Sequence, residues 1–279
     1  MGVDLGSARK KFTRLGSILT AIPDAVVGFS GGVDSSLLAV AARAAIGDAL
    51  CAVIADSPSL PRRELTAAIE FARWHEIRLE VVRTNEMDDP RYRRNGADRC
   101  AFCKDALTDA VLSHPAFRDG TLLLGVNVDD LGDHRPGQRA AQRRGARFPL
   151  AEAGLEKQEV RALARDLNIE TWDKPAAACL ASRLAYGVSV SEQALKRIEQ
   201  AEESLGVLGF EGDVRVRDQG RDLARIEVRP ERFEDVMACR AQIVDAMHEA
   251  GFLYVTLDLE GFRSGSQNLV VSLERPGTS

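Results

Sequence analysis

A buried strand, a tight turn and the start of a helix are encoded by one stretch, Ala25-Val-Val-Gly-Phe-Ser-Gly-Gly-Val-Asp-Ser-Ser36. Backbone N–H groups at the start of such a helix point towards the turn, where the helix dipole favours an anion. Gly31 and Gly32 let the backbone approach a phosphate closely, and Asp34 could hold a magnesium ion on it. Because the lysine of a Walker A motif is missing, the stretch predicts a phosphate-binding loop of another class.

The same alternation of strand and helix patterns continues beyond this loop. Short apolar runs occur at 25–29, 50–55, 77–82 and 121–126, and helical patterns occur at 35–45, 61–74 and 104–112. Strands separated by helices of this length predict an α/β fold with a doubly wound parallel sheet, whose ligands bind beyond the carboxyl ends of the strands.

The pattern changes after residue 172. A helix (191–205), two alternating strands (213–218 and 223–228), a second helix (231–250) and a last strand (252–257) follow one another. This order predicts a smaller α+β C-terminal domain. We therefore divide the chain into domains 1–172 and 173–279.

Composition and charge restrict the classes of function. The chain has 279 residues, of which 45% are hydrophobic and 28% charged, as is typical of a globular protein with a core. No apolar run reaches the roughly 20 residues of a membrane span, and the N-terminus lacks the apolar core of a signal peptide, so we expect a cytoplasmic protein without a membrane partner. The net charge of -5 argues against a dedicated nucleic-acid partner.

A second polar segment follows the apolar run at 121–126. It reads Gly125-Val-Asn-Val-Asp-Asp130. Because it follows a strand end like that of the phosphate loop, it could place Asn127, Asp129 and Asp130 near the same nucleotide and its metal. By itself it could equally be a polar turn.

Three of the five cysteines form a candidate site. Cys100 and Cys103 make a Cys-x-x-Cys just before the helix predicted from Lys104, and Cys179 lies in the connector between the domains. In a reducing compartment, this pattern suits a zinc half-site, a redox pair, an iron–sulfur site or merely buried small residues. Three thiolates would suit a [4Fe-4S] cluster with one open iron.

The other candidate ligands are less informative. His75, His114, His134 and His248 show no ligand-like spacing. Cys51 and Cys239 are interpreted as core residues. Arg215 and Arg217 share one face of a predicted strand, which from spacing alone is best explained as a solvated face.

Taken together, these segments resemble the LarE family of ATP-dependent sulfurtransferases. The resemblance covers nearly the whole chain and rests on Ser30–Ser36, Arg99-Cys-Ala-Phe-Cys-Lys104, Gly125–Asp130, Arg135-Pro-Gly137, Pro175–Arg183, Arg215-Val-Arg217 and Asp258–Gly265. It implies a mononucleotide substrate, pyridinium-3,5-biscarboxylic acid mononucleotide, whose carboxylate oxygens are replaced by sulfur after activation by ATP, with release of AMP and pyrophosphate.

The resemblance also implies roles for individual residues. ATP and Mg²⁺ would be bound by Ser30, Gly31, Gly32, Asp34, Ser35, Ser36, Asn127, Asp129 and Asp130. The substrate would be bound by Arg183, Glu203, Arg215, Arg217, Glu227 and Arg263. Cys179 and Lys104 would be catalytic, Lys104 by neutralising charge on the adenylate.

The sulfur source is left open by the sequence. Having Cys100, Cys103 and Cys179, the chain resembles the members that carry sulfide on a [4Fe-4S] cluster, while sacrifice of the Cys179 sulfur is the alternative. Rival functions are a tRNA sulfurtransferase, an amide-forming synthetase resembling NAD synthetase, and a non-catalytic nucleotide- or metal-binding subunit. We expect a homo-oligomer, and the sequence does not identify the sulfide source.

Overall fold

The computed structural model describes residues 3–113, 120–131, 141–175, 179–212 and 214–263. The chain forms two compact units, one from Met1–Glu86 with Ala101–Ala177 and the other from Met87–Cys100 with Ala178–Ser279. The sequence did not predict that the segment Met87–Cys100 joins the second unit. Asn95 explains this, because its buried side chain donates hydrogen bonds to the carbonyls of Ala185 and Val188.

The first unit is built on a parallel sheet of four strands, which confirms the predicted α/β class. The strand order is β3-β2-β1-β4, and every pair is parallel. The strands are β1 (Ala25–Gly28), β2 (Leu50–Asp56), β3 (Leu79–Arg83) and β4 (Thr121–Leu124). Strand β1 lies inside the sheet, so the loop that follows it emerges between the carboxyl ends of two neighbours.

Helices flank this sheet, and the longer ones bury apolar side chains on it. Their bounds are α1 (Leu5–Thr20), α2 (Val33–Ile46), α3 (Arg62–Trp74), α5 (Arg99–Ser113), α6 (Val128–Leu131), α7 (Pro149–Glu152) and α8 (Lys157–Asp166), while α4 (Pro90–Arg93) belongs to the second unit. Leu37 and Leu38 of α2 are fully buried in one core cluster with Val27 and Leu123 of the strands. Burying each such side chain stabilises the fold by about 1.5–3 kcal/mol.

Helix α5 begins earlier than its sequence pattern predicted. The expected start was Lys104, but the chain already turns at Gly96, whose carbonyl accepts a hydrogen bond from the N–H of Arg99. The Cys-x-x-Cys motif therefore forms the first turn of the helix and does not precede it.

The second unit contains a small mixed sheet, as predicted. Strands β5 (Arg215–Asp218) and β6 (Leu223–Glu227) pair antiparallel, and β6 pairs parallel with β7 (Tyr254–Leu257). Its longer helices are α9 (Glu192–Val207), α10 (Phe233–Ala238) and α11 (Arg240–Glu249). The single helix predicted over 231–250 is thus interrupted, since Cys239 ends α10 and caps α11.

Within the described ranges, we find no helix both long and apolar enough to span a membrane.

Candidate active site

The phosphate loop connects β1 to α2, and two serines set its shape. The hydroxyl of Ser35 donates to the carbonyl of Gly32 at 3.0 Å and accepts from the N–H of Ser30 at 3.2 Å. The two serine hydroxyls lie 3.0 Å apart. Gly31 has φ +69°, in the left-handed region that glycine adopts without strain.

The start of α2 leaves donors for a ligand. Its N-cap is Gly32, and no side chain caps the helix there. The hydroxyl of Ser36 is buried and has no hydrogen-bond partner in the part of the chain described. Orphan N–H groups at a helix N-terminus are suited to bind an anion. The predicted residues Ser30–Ser36 therefore lie in an arrangement that suits phosphate.

Gly125 lets the end of β4 lie against the first turn of α2. A Cβ atom at this position would lie 2.8 Å from the N atom of Ser35 and 3.0 Å from the carbonyl carbon of Asp34. Both are backbone atoms, which cannot move aside as a flexible side chain can. The close approach brings the segment after β4 to the phosphate loop.

Gly125→Ala should therefore destabilise the protein by about 1–3 kcal/mol, the usual cost of overpacking. The measurement is urea unfolding, followed by circular dichroism. Gly16→Ala is the matched control, because Gly16 lies inside α1 with nothing within 4 Å of an added Cβ. The control should gain up to about 1 kcal/mol from helix propensity. Equal stability changes in the two variants would contradict the close approach.

Asp34 is the centre of a polar cluster beside the loop. One carboxylate oxygen accepts a hydrogen bond from Nδ2 of Asn127 at 3.0 Å, and the other forms an ion pair with Lys157. The amide oxygen of Asn127 accepts from the N–H of Asp130, whose carboxylate accepts from the N–H of Asn127. The Asp129 carboxylate accepts from the N–H of Lys157 at 2.8 Å. The structure thus brings Asn127, Asp129 and Asp130 together with Asp34.

Two lysines at this loop were missed by sequence reasoning. Besides Lys157, the Nζ of Lys174 donates to the carbonyl of Gly31 at 3.1 Å and lies 2.7 Å from Glu64. Neither lysine belongs to a spaced motif. Lys157 is the first residue of α8, directly after the capping box of Glu156 and Glu159 that begins this helix.

The five cysteines are all thiols and form no disulfide. Cys51 is buried in β2, and burial raises the pKa of its thiol, as expected for an inert core residue. Cys239 is only half-buried, because it lies at the junction of two helices. Cys100 is exposed and Cys179 is half-buried.

Cys100 and Cys179 both belong to the second unit and lie near Arg99. Nη2 of Arg99 is 4.0 Å from Sγ of Cys100. Burial opposes the charge of Arg99, but the sulfurs of Cys179 and Cys100, together with Tyr92, more than offset it and raise the pKa of this guanidinium. Cys103 follows Cys100 by three residues on α5, so the two share a helix face. No trio of cysteine, histidine or acidic side chains in the described residues is spaced to hold a metal ion.

The turn after Cys179 is held by two predicted arginines. The Cys179 carbonyl accepts from Ser182 Oγ at 2.6 Å and from Nη1 of Arg183 at 3.1 Å. Arg217 donates to the Ser182 carbonyl at 2.9 Å and forms an ion pair with Glu227 at 2.8 Å. These residues therefore support the backbone that presents Cys179.

Arg183 is buried against Glu202 and not against Glu203, the residue selected from the sequence. Nε of Arg183 lies 3.0 Å from the Glu202 carboxylate, and both side chains are at most 3% exposed. Glu203 is exposed on the next position of α9. A substrate contact for Glu203 stays a prediction.

Glu202→Gln should destabilise the protein by about 3 kcal/mol, because it leaves the buried charge of Arg183 without its carboxylate. Glu203→Gln is the neighbouring control and should change stability by less than about 0.5 kcal/mol. Thermal and urea unfolding of both variants measure the difference. If the two variants have similar stabilities, the Glu202 carboxylate is not the counter-ion that stabilises Arg183.

Three predicted residues have not yet been described, namely Arg215, Arg263 and Lys104. Arg215 is buried, donates to the carbonyls of Gly212 and Val214, and lies over the ring of Phe262. A solvated face for Arg215 and Arg217 is therefore wrong, since both are buried. Arg263 is exposed and paired with Glu260. Lys104 is half-buried on α5. Outside the described residues lie His114, His134, 135–137, 176–178, Asp213 and 264–265.

Similarity to known proteins identifies the family to which this chain belongs. A family model described as NAD synthase matches residues 18–95, which contain the phosphate loop but end before Cys100. The pyridinium-3,5-bisthiocarboxylic acid mononucleotide synthase of Lactiplantibacillus plantarum is 33% identical over 262 residues, covering 92% of this chain and 94% of that protein. The chain belongs to the LarE family. It is therefore an enzyme, and its first unit is a PP-loop domain, named after the phosphate loop at Ser30–Ser36.

Two further proteins are similar to this LarE family chain over most of their length. An uncharacterised protein of Synechocystis sp. is 42% identical over 265 residues, or 94% of this chain and 98% of the relative. An uncharacterised protein of Methanocaldococcus jannaschii is 29% identical over 240 residues, or 86% and 90%. The similarities cover 86–94% of this chain and so extend well beyond the phosphate loop.

Proposed function

We propose that this protein is an ATP-dependent sulfurtransferase that converts a carboxylate of pyridinium-3,5-biscarboxylic acid mononucleotide into a thiocarboxylate, in the synthesis of the nickel-pincer nucleotide cofactor. The observation that carries the proposal is that one chain holds both a phosphate loop flanked by two lysines and two thiols beside a buried arginine. The LarE family relative, named as the synthase of the bisthiocarboxylic product, supports this substrate class.

The first step would be adenylation at the loop of α2. A substrate carboxylate oxygen attacks the α phosphorus of ATP, the bond to the β phosphate oxygen breaks, and pyrophosphate leaves. The N–H groups of the first turn of α2 would hold the phosphates, and Lys157 and Lys174 would offset their charge. Asp34 would hold Mg²⁺, which neutralises the phosphate oxygens when bound.

The second step would replace AMP by sulfur. A sulfur nucleophile at Cys179 attacks the acyl carbon, and AMP leaves with the electron pair of the broken C–O bond. If the sulfur is that of Cys179 itself, a base then removes its Cα proton and the Cβ–Sγ bond breaks. The sulfur stays on the product as a thiocarboxylate, and dehydroalanine remains in the chain.

For the sulfur source we propose the three-cysteine type. Cys100, Cys103 and Cys179 would hold a [4Fe-4S] cluster, which would supply a site for added sulfide. Three thiols are donors of the right kind, and Cys100 and Cys179 already lie near one guanidinium. The role of the protein in this step is to hold the Cys179 turn through Ser182, Arg183 and Arg217.

Anaerobically purified protein should form AMP, pyrophosphate and thiocarboxylate product when given ATP, Mg²⁺, sulfide and the mononucleotide. Iron content and intact mass then identify the sulfur source. Iron with repeated turnover and unchanged mass supports the cluster, whereas loss of about 34 Da, the mass of H₂S, shows sacrifice of a cysteine sulfur. Failure to form AMP with this substrate contradicts the function. AMP formed with tRNA instead would favour tRNA thiolation.

A cytoplasmic location, a homo-oligomer and the absence of a nucleic-acid partner stay predictions.

A further inference from the structure

Arg99 is a buried cation that has no part in the two chemical steps above. Its side chain is 6% exposed. Nη1 donates to the carbonyl of Ala181 at 2.8 Å and to the side-chain oxygen of Asn95. In the described ranges, no carboxylate lies within ion-pair distance of this guanidinium. A buried charge is costly unless an anion accompanies it, so this position requires an anionic neighbour other than Asp or Glu.

The atoms near Arg99 that can carry negative charge are the sulfurs of Cys100 and Cys179 and the phenol oxygen of Tyr92, and a thiol ordinarily ionises more readily than a phenol. Cys100 follows it directly, with Sγ 4.0 Å from Nη2. Cys179 precedes, by two residues, the Ala181 carbonyl that Arg99 binds. The guanidinium is thus hydrogen-bonded to the backbone two residues after Cys179, and Arg99 directly precedes Cys100 in the sequence.

Asn95 fixes this arginine and joins the same two segments. It is fully buried, with φ +56°, a left-handed conformation that asparagine tolerates better than most residues. Its Nδ2 donates to the carbonyls of Ala185 at 2.8 Å and Val188 at 2.9 Å, while its Oδ1 accepts from Arg99. One amide therefore ties the segment before Cys100 to the segment after Cys179.

We propose that Asn95 and Arg99 form a clamp that holds Cys100 and Cys179 beside one guanidinium, and that Arg99 is the counter-ion of the anionic sulfur carried there. Arg99 is a positioning residue in this scheme. The identity of the sulfur rests on the proposed function, whereas the clamp is a property of the protein alone. It operates before any metal or substrate binds.

The test uses metal-free full-length protein and dibromobimane, a short reagent with two thiol-reactive arms. Every protein compared, including the one called wild type here, carries Cys103→Ser, because Cys103 shares a helix face with Cys100 and would compete for the reagent. Reaction proceeds until both cysteines are consumed, and peptide mass spectrometry gives the ratio of bridged Cys100–Cys179 to the two separately modified peptides. Because all thiols are consumed, this ratio reports proximity and not the speed of reaction. The wild-type protein should be mainly bridged.

Arg99→Met should lower the bridging ratio by about tenfold, since the two cysteines lose the high effective concentration that the clamp gives them. Arg99→Lys should also lower it, because an ammonium cannot reproduce the guanidinium fork. Asn95→Gly provides a second route, since glycine accepts the positive φ while losing every side-chain bond. Arg94→Met, at an exposed arginine next to Asn95, should leave the ratio unchanged.

Two results would overturn the clamp: no bridged peptide in the wild type, or bridging in Arg99→Lys and Asn95→Gly equal to the wild type. In the full reaction, the Arg99 variants should release AMP at the wild-type rate and make less thiocarboxylate. If wild-type protein forms no AMP, the proposed function fails, but the bridging ratio still decides the clamp.

Discussion

Cys179→Ala is expected to lower formation of the thiocarboxylate product by about 10³-fold or more, the scale on which removal of a nucleophile reduces rates. Such a loss corresponds to at least about 4 kcal/mol of transition-state free energy. Release of pyrophosphate should persist, because the phosphate loop, Asp34 and both lysines belong to the first unit, whereas Cys179 belongs to the second. Quantifying product and pyrophosphate in the same reaction by mass spectrometry and a coupled assay measures both effects.

Two other cysteine variants test whether the loss of product is specific to Cys179 and which sulfur source is used. Cys239→Ala removes a half-buried thiol at a helix junction and should preserve product formation. Cys100→Ser separates the two sulfur sources, since it should abolish product if a cluster is needed but permit one turnover if the sulfur of Cys179 is consumed. Wild-type product yield from Cys179→Ala would refute the role of this cysteine.

Much of the fold could be predicted because it depends on local pattern. The run 25–29 is apolar and is followed by Ser30 and two glycines, and it contains the inner strand β1 that positions the loop. By contrast, the transfer of Met87–Cys100 to the second unit depends on Asn95, whose hydrogen-bond partners lie about 90 residues away in sequence. Such a contact leaves no local periodicity, so no pattern could have revealed it.

Some residues of the candidate site could likewise be predicted from local pattern, and others could not. Asn127 was predicted near Asp34 because β4 and β1 end at the same edge of a parallel sheet. Lys157 and Lys174 were not predicted, and Arg99 was named only within the segment 99–104 and without a role, since single basic residues carry no spacing signal.

Glu202 could have been distinguished from Glu203 by helical register. Leu195, Ile198 and Leu205 lie 7, 4 and 3 residues from Glu202, on the buried face of α9. The adjacent Glu203 points away from that face and is exposed. A carboxylate on an apolar helix face requires a buried cation, which is the role of Arg183 in the structure.

Asp34→Ala should have the second largest effect and lower pyrophosphate release by about 10²–10³-fold, the range for loss of one preorganised electrostatic group. Asp34 lies in the first turn of α2 and holds both Lys157 and the buried Asn127. Removing the carboxylate removes the proposed magnesium ligand and also releases the two side chains that it positions. The rate of pyrophosphate release at saturating ATP, with and without raised Mg²⁺, is the measurement.

The sheet itself offers a control for this variant. Asp24 is exposed and precedes β1, at the end of the strand opposite to the loop, so Asp24→Ala should keep the wild-type rate. Lys157→Met separates the two contributions of Asp34, because it leaves the carboxylate in place but removes its cation. If Asp34 acts only by anchoring Lys157, the two variants should lose equal activity and respond equally to Mg²⁺. If Asp34 holds the metal, raised Mg²⁺ should restore Lys157→Met but not Asp34→Ala, since only the former keeps the carboxylate that binds it.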